Sequence, residues 1–482
     1  MEYRAFIRSP RKQRNSGFGP IVVVTRHTTH VEEKARRLPV IDSADIVVLG
    51  GGSAGLSAAV SAARLGADVL LIERYGFLGG VATAAMVTSF CGLYLDRNYD
   101  ACRIVRGFAD DLLSLIDAQG GLAPPRRVKP GAVSQAFDAT AYKFAADDLV
   151  DDAGVRLRLH SFGVAALPDP DEGSRIGHIV VESKSGRGAI AGKVFIDASG
   201  DGDLASVSGC AFEIGDEHGF MQYPTTMFRM RNVEDALTAG IRKTIGSKVA
   251  DAIDSGEYDL PRKYVSVSPQ PFSTEWRANA TQVRGESDEA IDGTDVLQLS
   301  RAETEGRRQV REFHRFLKDR MDGFANSSIL DTAPQIGIRE TRRILGQREL
   351  DAEHVAEGKT SHDAIGLGCW PFETHRNGTV DWRAVGGRGY YDIPLGMMVP
   401  AKGPRNLLVA GRCASASPEA LASVRVMGSC MVMGQAAGTL AALAVEESST
   451  FIEVELSKLR KALESNGVCF SPDDLSVAPT QN

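Results

Sequence analysis

Apolar and polar positions alternate between two periods along this chain. The run Ile46-Val47-Val48-Leu49 is wholly apolar and predicts a buried strand over 45–49. It breaks on Gly50-Gly51-Gly52. The pattern then predicts a helix over 53–65, lined by Ala54, Ala58, Ala59, Ala62 and Ala63, whose small side chains allow close packing on a sheet. A second apolar run, Leu70-Leu71-Ile72, predicts a strand over 68–72. Strand, helix and strand form an opening β-α-β unit.

Further on, residues 103–120 read as a helix that stops at Gly120-Gly121. Prolines and basic residues make 121–134 a surface loop. Residues 138–153 read as a helix with Phe144 and Leu149 facing inward. Val155 to Leu159 alternates as a strand, and Gly177 to Ser183 with Arg187 to Phe195 reads as a hairpin. The texture changes over 213–384, with short strand-like runs (Thr225 to Met230, Tyr264 to Val267), a charged helix (Arg301 to Arg320) and few glycine turns. A strand from Leu407 to Ala410 and a helix over 427–445 follow. No internal repeat is visible.

The glycines in the first turn are spaced Gly50-x-Gly52-x-x-Gly55, and Glu73 ends the second strand. Each part suits a dinucleotide. Gly50 permits the tight turn, Gly52 lets the backbone approach a pyrophosphate, and Gly55 lets the helix pack on the strand. Ser53 and Ala54 open the helix, whose free N–H groups and positive dipole end favour phosphate. Glu73 can accept hydrogen bonds from a ribose.

After Glu73 comes Arg74-Tyr75-Gly76-Phe77-Leu78-Gly79-Gly80-Val81-Ala82-Thr83. Together with Phe195 to Ala205, Ile336 to Arg343, and Asn406 to Arg412 continuing through Arg425 to Gly438, this resembles the FAD-dependent oxidoreductase family of the glutathione-reductase-like superfamily, related at its FAD domain to fumarate reductase flavoproteins. The resemblance covers about residues 35 to 470. It implies an α/β fold: a Rossmann-like FAD-binding domain, with a parallel sheet and β crossover, plus a mixed α+β substrate domain. The implied division is an N-terminal arm or leader over 1–43, the first part of the FAD domain over 44–212, a substrate or cap domain over 213–389, an FAD-domain return over 390–450, and a C-terminal helix and tail over 451–482.

The resemblance also implies FAD contacts at Arg74, Gly79, Gly80, Ala82 and Thr83. It implies main-chain contact with adenine at Val164, a second flavin contact at Ala198, Gly200 and Asp201, and closure around the ribityl chain at Gly411 and Arg412. The start of the last long helix, at Met427-Gly428, would direct its N–H groups to the flavin, where the dipole stabilises negative charge. Gly434 and Gly438 read as packing residues. Gly200-x-Gly202 is not followed by a helix and carboxylate suited to a second nucleotide, so no Rossmann site for NAD(P)H is evident.

Composition adds bounds. At 482 residues the chain can hold two domains with substantial cores. A formal net charge of −7 gives no global attraction to nucleic acid. No apolar run reads as a membrane span, since Ala410 to Val445 is interrupted by Arg412, Glu419, Arg425 and Gln435. The seven cysteines are scattered without a Cys-x-x-Cys, so no disulfide scaffold, metal site or flavin-disulfide pair is indicated. Reduced thiols point to a cytoplasmic protein. The first thirty residues are basic (Arg4, Arg8, Arg11, Lys12, Arg14), and Ile21 to Val24 is too short for a signal-peptide core. An extra strand or a loose arm is expected there.

The candidate chemistry lies in His375, Arg425, Arg339 and Tyr391, with Arg342, Arg343 and Tyr390 nearby. Arginine suits bidentate carboxylate recognition and histidine suits proton transfer near neutral pH. The resemblance places a histidine at 375 on the substrate side of the flavin. Glu373 stands where relatives often carry a shorter acidic residue. Arg339 and Arg342 would share a helix. The expected reaction passes a hydride between a small organic substrate and flavin N5 in the oxidising direction, as a dehydrogenase or oxidase. His375 would take the proton and arginines would hold an anionic or carbonyl group. Alternatives are a double-bond reductase charged by NADPH or a partner protein, and a non-redox use of FAD. A homodimer is the expected assembly.

Overall fold

The computed structural model describes residue 33 and residues 35–97, 100–285, 288–473, 475 and 477–479. Contacts divide the chain into Met1–Leu38 and Pro39–Asn482. Of the first unit only residues 33 and 35–38 are described, none in a helix or strand. The strand or arm expected over the first thirty residues lies outside the described residues.

The body from Pro39 onward is built on a sheet of seven strands. Its parallel part runs Arg156–Arg158, Val69–Ile72, Val40–Leu49, Gly186–Asp197 and Leu407–Val409 in spatial order. The predicted hairpin is Ile176–Ser183 with Gly186–Asp197, and Phe162–Pro168 extends it antiparallel. Gly186–Asp197 is long enough to pair with the hairpin at one end and with Leu407–Val409 at the other. One strand thus joins the crossover to the parallel sheet. Ile46, Val47, Val48, Leu71, Ile72 and Ile196 are fully buried, as strands covered on both faces require.

Helix Ser53–Arg64 packs on helix Met427–Glu447 through its alanines. A Cβ at Gly434 would sit 2.1 Å from the Ala54 carbonyl oxygen, and one at Gly438 the same distance from that of Ala58. The two glycines are packing residues, as expected. Met427–Glu447 is, however, apolar and long enough to cross a membrane (mean hydropathy 1.4), which corrects the reading that no run reaches a span. It is almost wholly buried inside the body, as a core helix is.

A second sheet is antiparallel, ordered Ser266–Pro269, Trp276–Asn279, Phe228–Arg231 and Ser328–Thr332. Phe228, Met230, Val267, Trp276 and Ala278 cover one face and pack with Val310, Phe313 and Leu317 of helix Val296–Arg320. The opposite face carries Arg277 and, on the neighbouring strand, Ser268, since side chains alternate along a strand.

Several local expectations need correcting. Residues 121–134 are not a loop. They form strands Leu122–Lys129 and Ala132–Phe137, and the pairing skips between Leu122 and Pro125. Leu122–Lys129 is an edge strand, where proline is tolerated. The helix expected from 103 begins at Phe108, because Arg103 belongs to a strand and Gly107 turns with φ +66°. Phe144 faces solvent, since the buried face of Ala139–Asp152 runs through Tyr142, Ala145, Ala146 and Leu149. Arg339 and Arg342 do not share a helix: 336–341 is irregular and Arg342 opens strand Arg342–Ile344.

Candidate active site

The first strand ends in the glycine turn at the edge of a cavity of about 270 Å³. Gly50 has φ +101°, and a Cβ there would lie 2.4 Å from the Ala198 carbonyl oxygen. At Gly55 a Cβ would lie 1.7 Å from the Gly50 oxygen, so the helix start closes directly on the turn. Gly52 differs: its Cα faces the cavity, and the nearest atom to an added Cβ is 3.7 Å away. That is the open approach a pyrophosphate needs. Beside it the Ser53 hydroxyl is buried without a hydrogen-bond partner, at a helix N-terminus whose first N–H groups lack intrahelical acceptors.

Glu73 is buried, and its carboxylate ties the turn together. One oxygen accepts from the Gly51 N–H at 2.6 Å and the other from the Tyr75 N–H at 2.9 Å. Each oxygen keeps lone-pair capacity for ribose hydroxyls. The Gly79 N–H donates to the Gly51 oxygen at 2.8 Å, which fastens the second glycine pair onto the first turn. Thr83 donates to the Leu78 oxygen at 2.7 Å.

The strand end at Asp197 supplies the opposite wall through Ala198, Ser199 and Gly200. Burial raises the Asp197 carboxyl to about 6, although it accepts hydrogen bonds from Ser199 and from the Ala205 N–H. Arg412 reaches Asp201 at 2.6 Å and Thr341 at 3.0 Å. Burial works against the Asp201 charge, but Arg412 and the Thr341 hydrogen bond outweigh it and hold the carboxyl below its ordinary range.

The expected cofactor residues therefore separate into two groups. Gly50, Gly52, Ser53, Ala54, Glu73, Arg74, Gly80, Ala198, Gly200, Gly411 and Arg412 line the cavity. Gly55, Gly79, Ala82, Thr83, Asp201 and Gly428 sit behind that wall and brace it. Gly428 packs on the Gly92 backbone, where a Cβ would be 2.4 Å from oxygen. Its neighbours Val426 and Met427 do face the cavity. Val164 lies on the partly exposed side of strand Phe162–Pro168 and is not on the cavity wall.

Deeper in the cavity, four arginines from distant segments converge: Arg262, Arg277, Arg339 and Arg425. Among the described residues none of them has an ion pair within 4.0 Å, and Glu373 is the nearby carboxylate acting on all four. Arg339 donates to the Tyr223 oxygen at 2.5 Å and to the Thr225 hydroxyl at 2.7 Å. Arg425 donates to the Gln222 side chain and to the Glu373 carbonyl oxygen. Burial lowers the pKa of all four, and for Arg339 the charges of Arg425 and Arg262 add to the effect.

His375 and Glu373 sit two apart on strand Phe372–Arg376, with Trp382 paired opposite Glu373, so all three share one face. Arg262 lies 3.4 Å from His375 Nδ1, and Glu373 lies 3.2 Å from Nε2. Arginine can only donate, so Nδ1 accepts and Nε2 carries the hydrogen donated to Glu373. Burial, then the Arg339 charge, holds the imidazole well below its ordinary pKa. Burial would raise Glu373, but the His375 hydrogen bond and the Arg425 and Arg339 charges hold its carboxyl below the ordinary range. Tyr391, expected at the site, is instead fully buried in the core. Its hydroxyl bonds Ser423 at 2.9 Å and it does not line the cavity.

Sequence reasoning missed Arg262, Arg277, Tyr264, Trp370 and Trp382. Arg262, Tyr264 and Ser266 are spaced two apart on the way into strand Ser266–Pro269 and all face the cavity. That spacing is a sequence signal that could have found Arg262 and Tyr264.

Comparison with known proteins shows the family. Over 205 residues the chain is 30% identical to the aklavinone 12-hydroxylase DnrF of Streptomyces peucetius, a match spanning 35% of this chain and 41% of that relative. Among solved structures, the p-nitrophenol 4-monooxygenase PnpA of Pseudomonas putida DLL-E4 aligns at TM-score 0.48 and 10% identity, over 88% of this chain and 89% of that one. A geranylgeranyl bacteriochlorophyll reductase-like protein of Thermoplasma acidophilum aligns at 0.46 and 13% identity, over 88% and 84%. Likenesses of this size say nothing of substrate. The family described as FAD dependent oxidoreductase matches residues 45–463, and this chain belongs to it as an enzyme whose cofactor is FAD.

Proposed function

We propose that this enzyme oxidises a small organic anion, taking a hydride from one of its carbons. FAD, when bound, supplies the hydride acceptor. The observation that carries the reading is the charge imbalance of the cavity. Arg262, Arg277, Arg339 and Arg425 face one carboxylate on the cavity wall beside them, Glu373, and a histidine whose surroundings keep it neutral; Glu340, which also acts on Arg425, is already paired with Arg343 at 2.7 Å. Buried cations call for compensating negative charge, and an anionic substrate provides it. The same surplus favours the negative charge left on the substrate when its proton is taken, the step that prepares a neighbouring carbon to give up a hydride in the oxidising direction.

His375 is the proposed proton acceptor. A neutral imidazole is the form that can take a proton; here it would do so at Nδ1, once a bound anion draws Arg262 off that nitrogen, and Glu373 at Nε2 would steady the imidazolium. The arginine charges oppose that step in the empty site. A bound anion offsets them, so binding substrate readies the base.

The test is an anaerobic visible spectrum of the holoenzyme with small anionic alcohols, amines and hydroxy acids, set against NADPH. Bleaching by an anion, slowed in Arg425→Gln and His375→Gln, is the expected result. Rapid bleaching by NADPH with none by any anion would overturn the proposal in favour of a reductase.

A further inference from the structure

We propose that the substrate is an aromatic carboxylate, its ring held among Tyr264, Trp370 and Trp382 and its carboxylate on Arg277 and Arg425. This rests on the anion-binding reading above, but not on the direction of hydride transfer.

The aromatic wall is compact. Trp370 and Trp382 meet edge-on with ring centroids 5.9 Å apart. The Lys129 ammonium sits 4.6 Å from the Tyr264 ring and 4.9 Å from the Trp382 ring, so it ties Tyr264 to the tryptophan pair. All three line the cavity. A planar ring in the cavity would lie beside Tyr264, Trp370 and Trp382 and could pack offset or edge-to-face on them, the arrangements aromatic pairs prefer.

The charged wall adjoins it. Cys91 packs in the apolar cluster of Trp370 and Trp382, and Arg277 and Arg425 lie close enough to act on its thiol. Trp370 donates to Glu373 at 3.1 Å, which places the indole beside the carboxylate that those arginines also face. The Nε atoms of Arg277 and Arg425 and the Trp382 Nε1 are buried without hydrogen-bond partners. Buried donors of this kind are rare unless something accepts from them. A carboxylate matches the planar guanidinium fork and can accept from both arginines.

The holoenzyme is titrated with sodium benzoate, sodium acetate and benzamide, following tryptophan fluorescence and the flavin absorbance band. Benzoate offers ring and charge, acetate the charge alone, and benzamide the ring alone. Benzoate is expected to bind at least about tenfold more tightly than either of the others. Trp382→Leu should weaken benzoate and leave acetate unchanged, whereas Arg277→Gln should weaken both anions. Acetate equal to benzoate, or benzamide equal to benzoate, overturns the proposal on the unaltered enzyme, whatever the variants do. Benzoate has no hydride to give, so its binding is independent of the redox direction. If benzoate binds as expected and no aromatic acid bleaches the flavin, the substrate class stands and the oxidising direction fails.

Discussion

Glu73→Gln isolates what the carboxylate at the end of the second strand does. In the structure Glu73 is 5% exposed and accepts two backbone hydrogen bonds, from Gly51 at 2.6 Å and Tyr75 at 2.9 Å. Glutamine keeps the volume, so no cavity opens. Its amide has one acceptor oxygen, and its NH₂ must face the other N–H. One charge-assisted bond is lost and the second becomes a neutral one. Hydrogen bonds to charged groups contribute about 1.5–3 kcal/mol against about 1 for neutral pairs, which puts the total loss at about 2–5 kcal/mol. The lost bond that matters is at Gly51, because it holds the turn from which Gly52 and Ser53 face the cavity. If about 2 kcal/mol of this falls on the cofactor-binding conformation, FAD affinity drops roughly 30-fold. The assay is reconstitution of deflavinated protein with FAD, followed by flavin fluorescence, with thermal melts of apo and holo forms. FAD binding within threefold of the original, with unchanged melting, would refute the claim that Glu73 organises the turn.

Other consequences follow from the same geometry. Gly434→Ala places a methyl 2.1 Å from the Ala54 oxygen, so the two central helices must part. A loss of about 1–3 kcal/mol is expected, read by calorimetry, together with weaker FAD retention. Asp201→Asn leaves Arg412 without its 2.6 Å partner and should cost about 3–5 kcal/mol. The double variant Asp201→Asn/Arg412→Met should recover part of that in denaturant melts, and no recovery would show that the pair is not coupled. For Glu373 the folded pKa lies below its ordinary 4.5, held down against burial by the His375 hydrogen bond and the charges of Arg425 and Arg339. Its contribution is therefore present above pH 4.5 and is lost as pH falls through the folded pKa. Glu373→Gln should flatten the acid limb of a melting-temperature profile, and an unchanged limb would contradict the assignment.

What could be read from the sequence was what is local. The glycine turn, the alanine-lined helix and Glu73 lie within one short stretch, and each acts on its immediate neighbours, so spacing alone specified them. Pro124 and Pro125 misled because proline argues against a strand, and nothing local shows that Leu122–Lys129 sits at a sheet edge. Phe144 misled because helix phase is decided by what the helix packs against. The arginine cluster was the least legible part. Arg262, Arg277, Arg339 and Arg425 come from four separate segments, and each alone reads as a solvated charge. Arg277 shows why. Its strand Trp276–Asn279 buries Trp276 and Ala278 in one core and turns Arg277 and Asn279 to the cavity, so both faces are enclosed. In a strand with a solvent face, that alternation would put arginine in water at no cost. Here the polar face meets a cavity, and a cation held there must find its counter-charge inside it. The sequence carries the alternation, and only the second enclosed face turns Arg277 from a surface charge into a cation on the cavity wall.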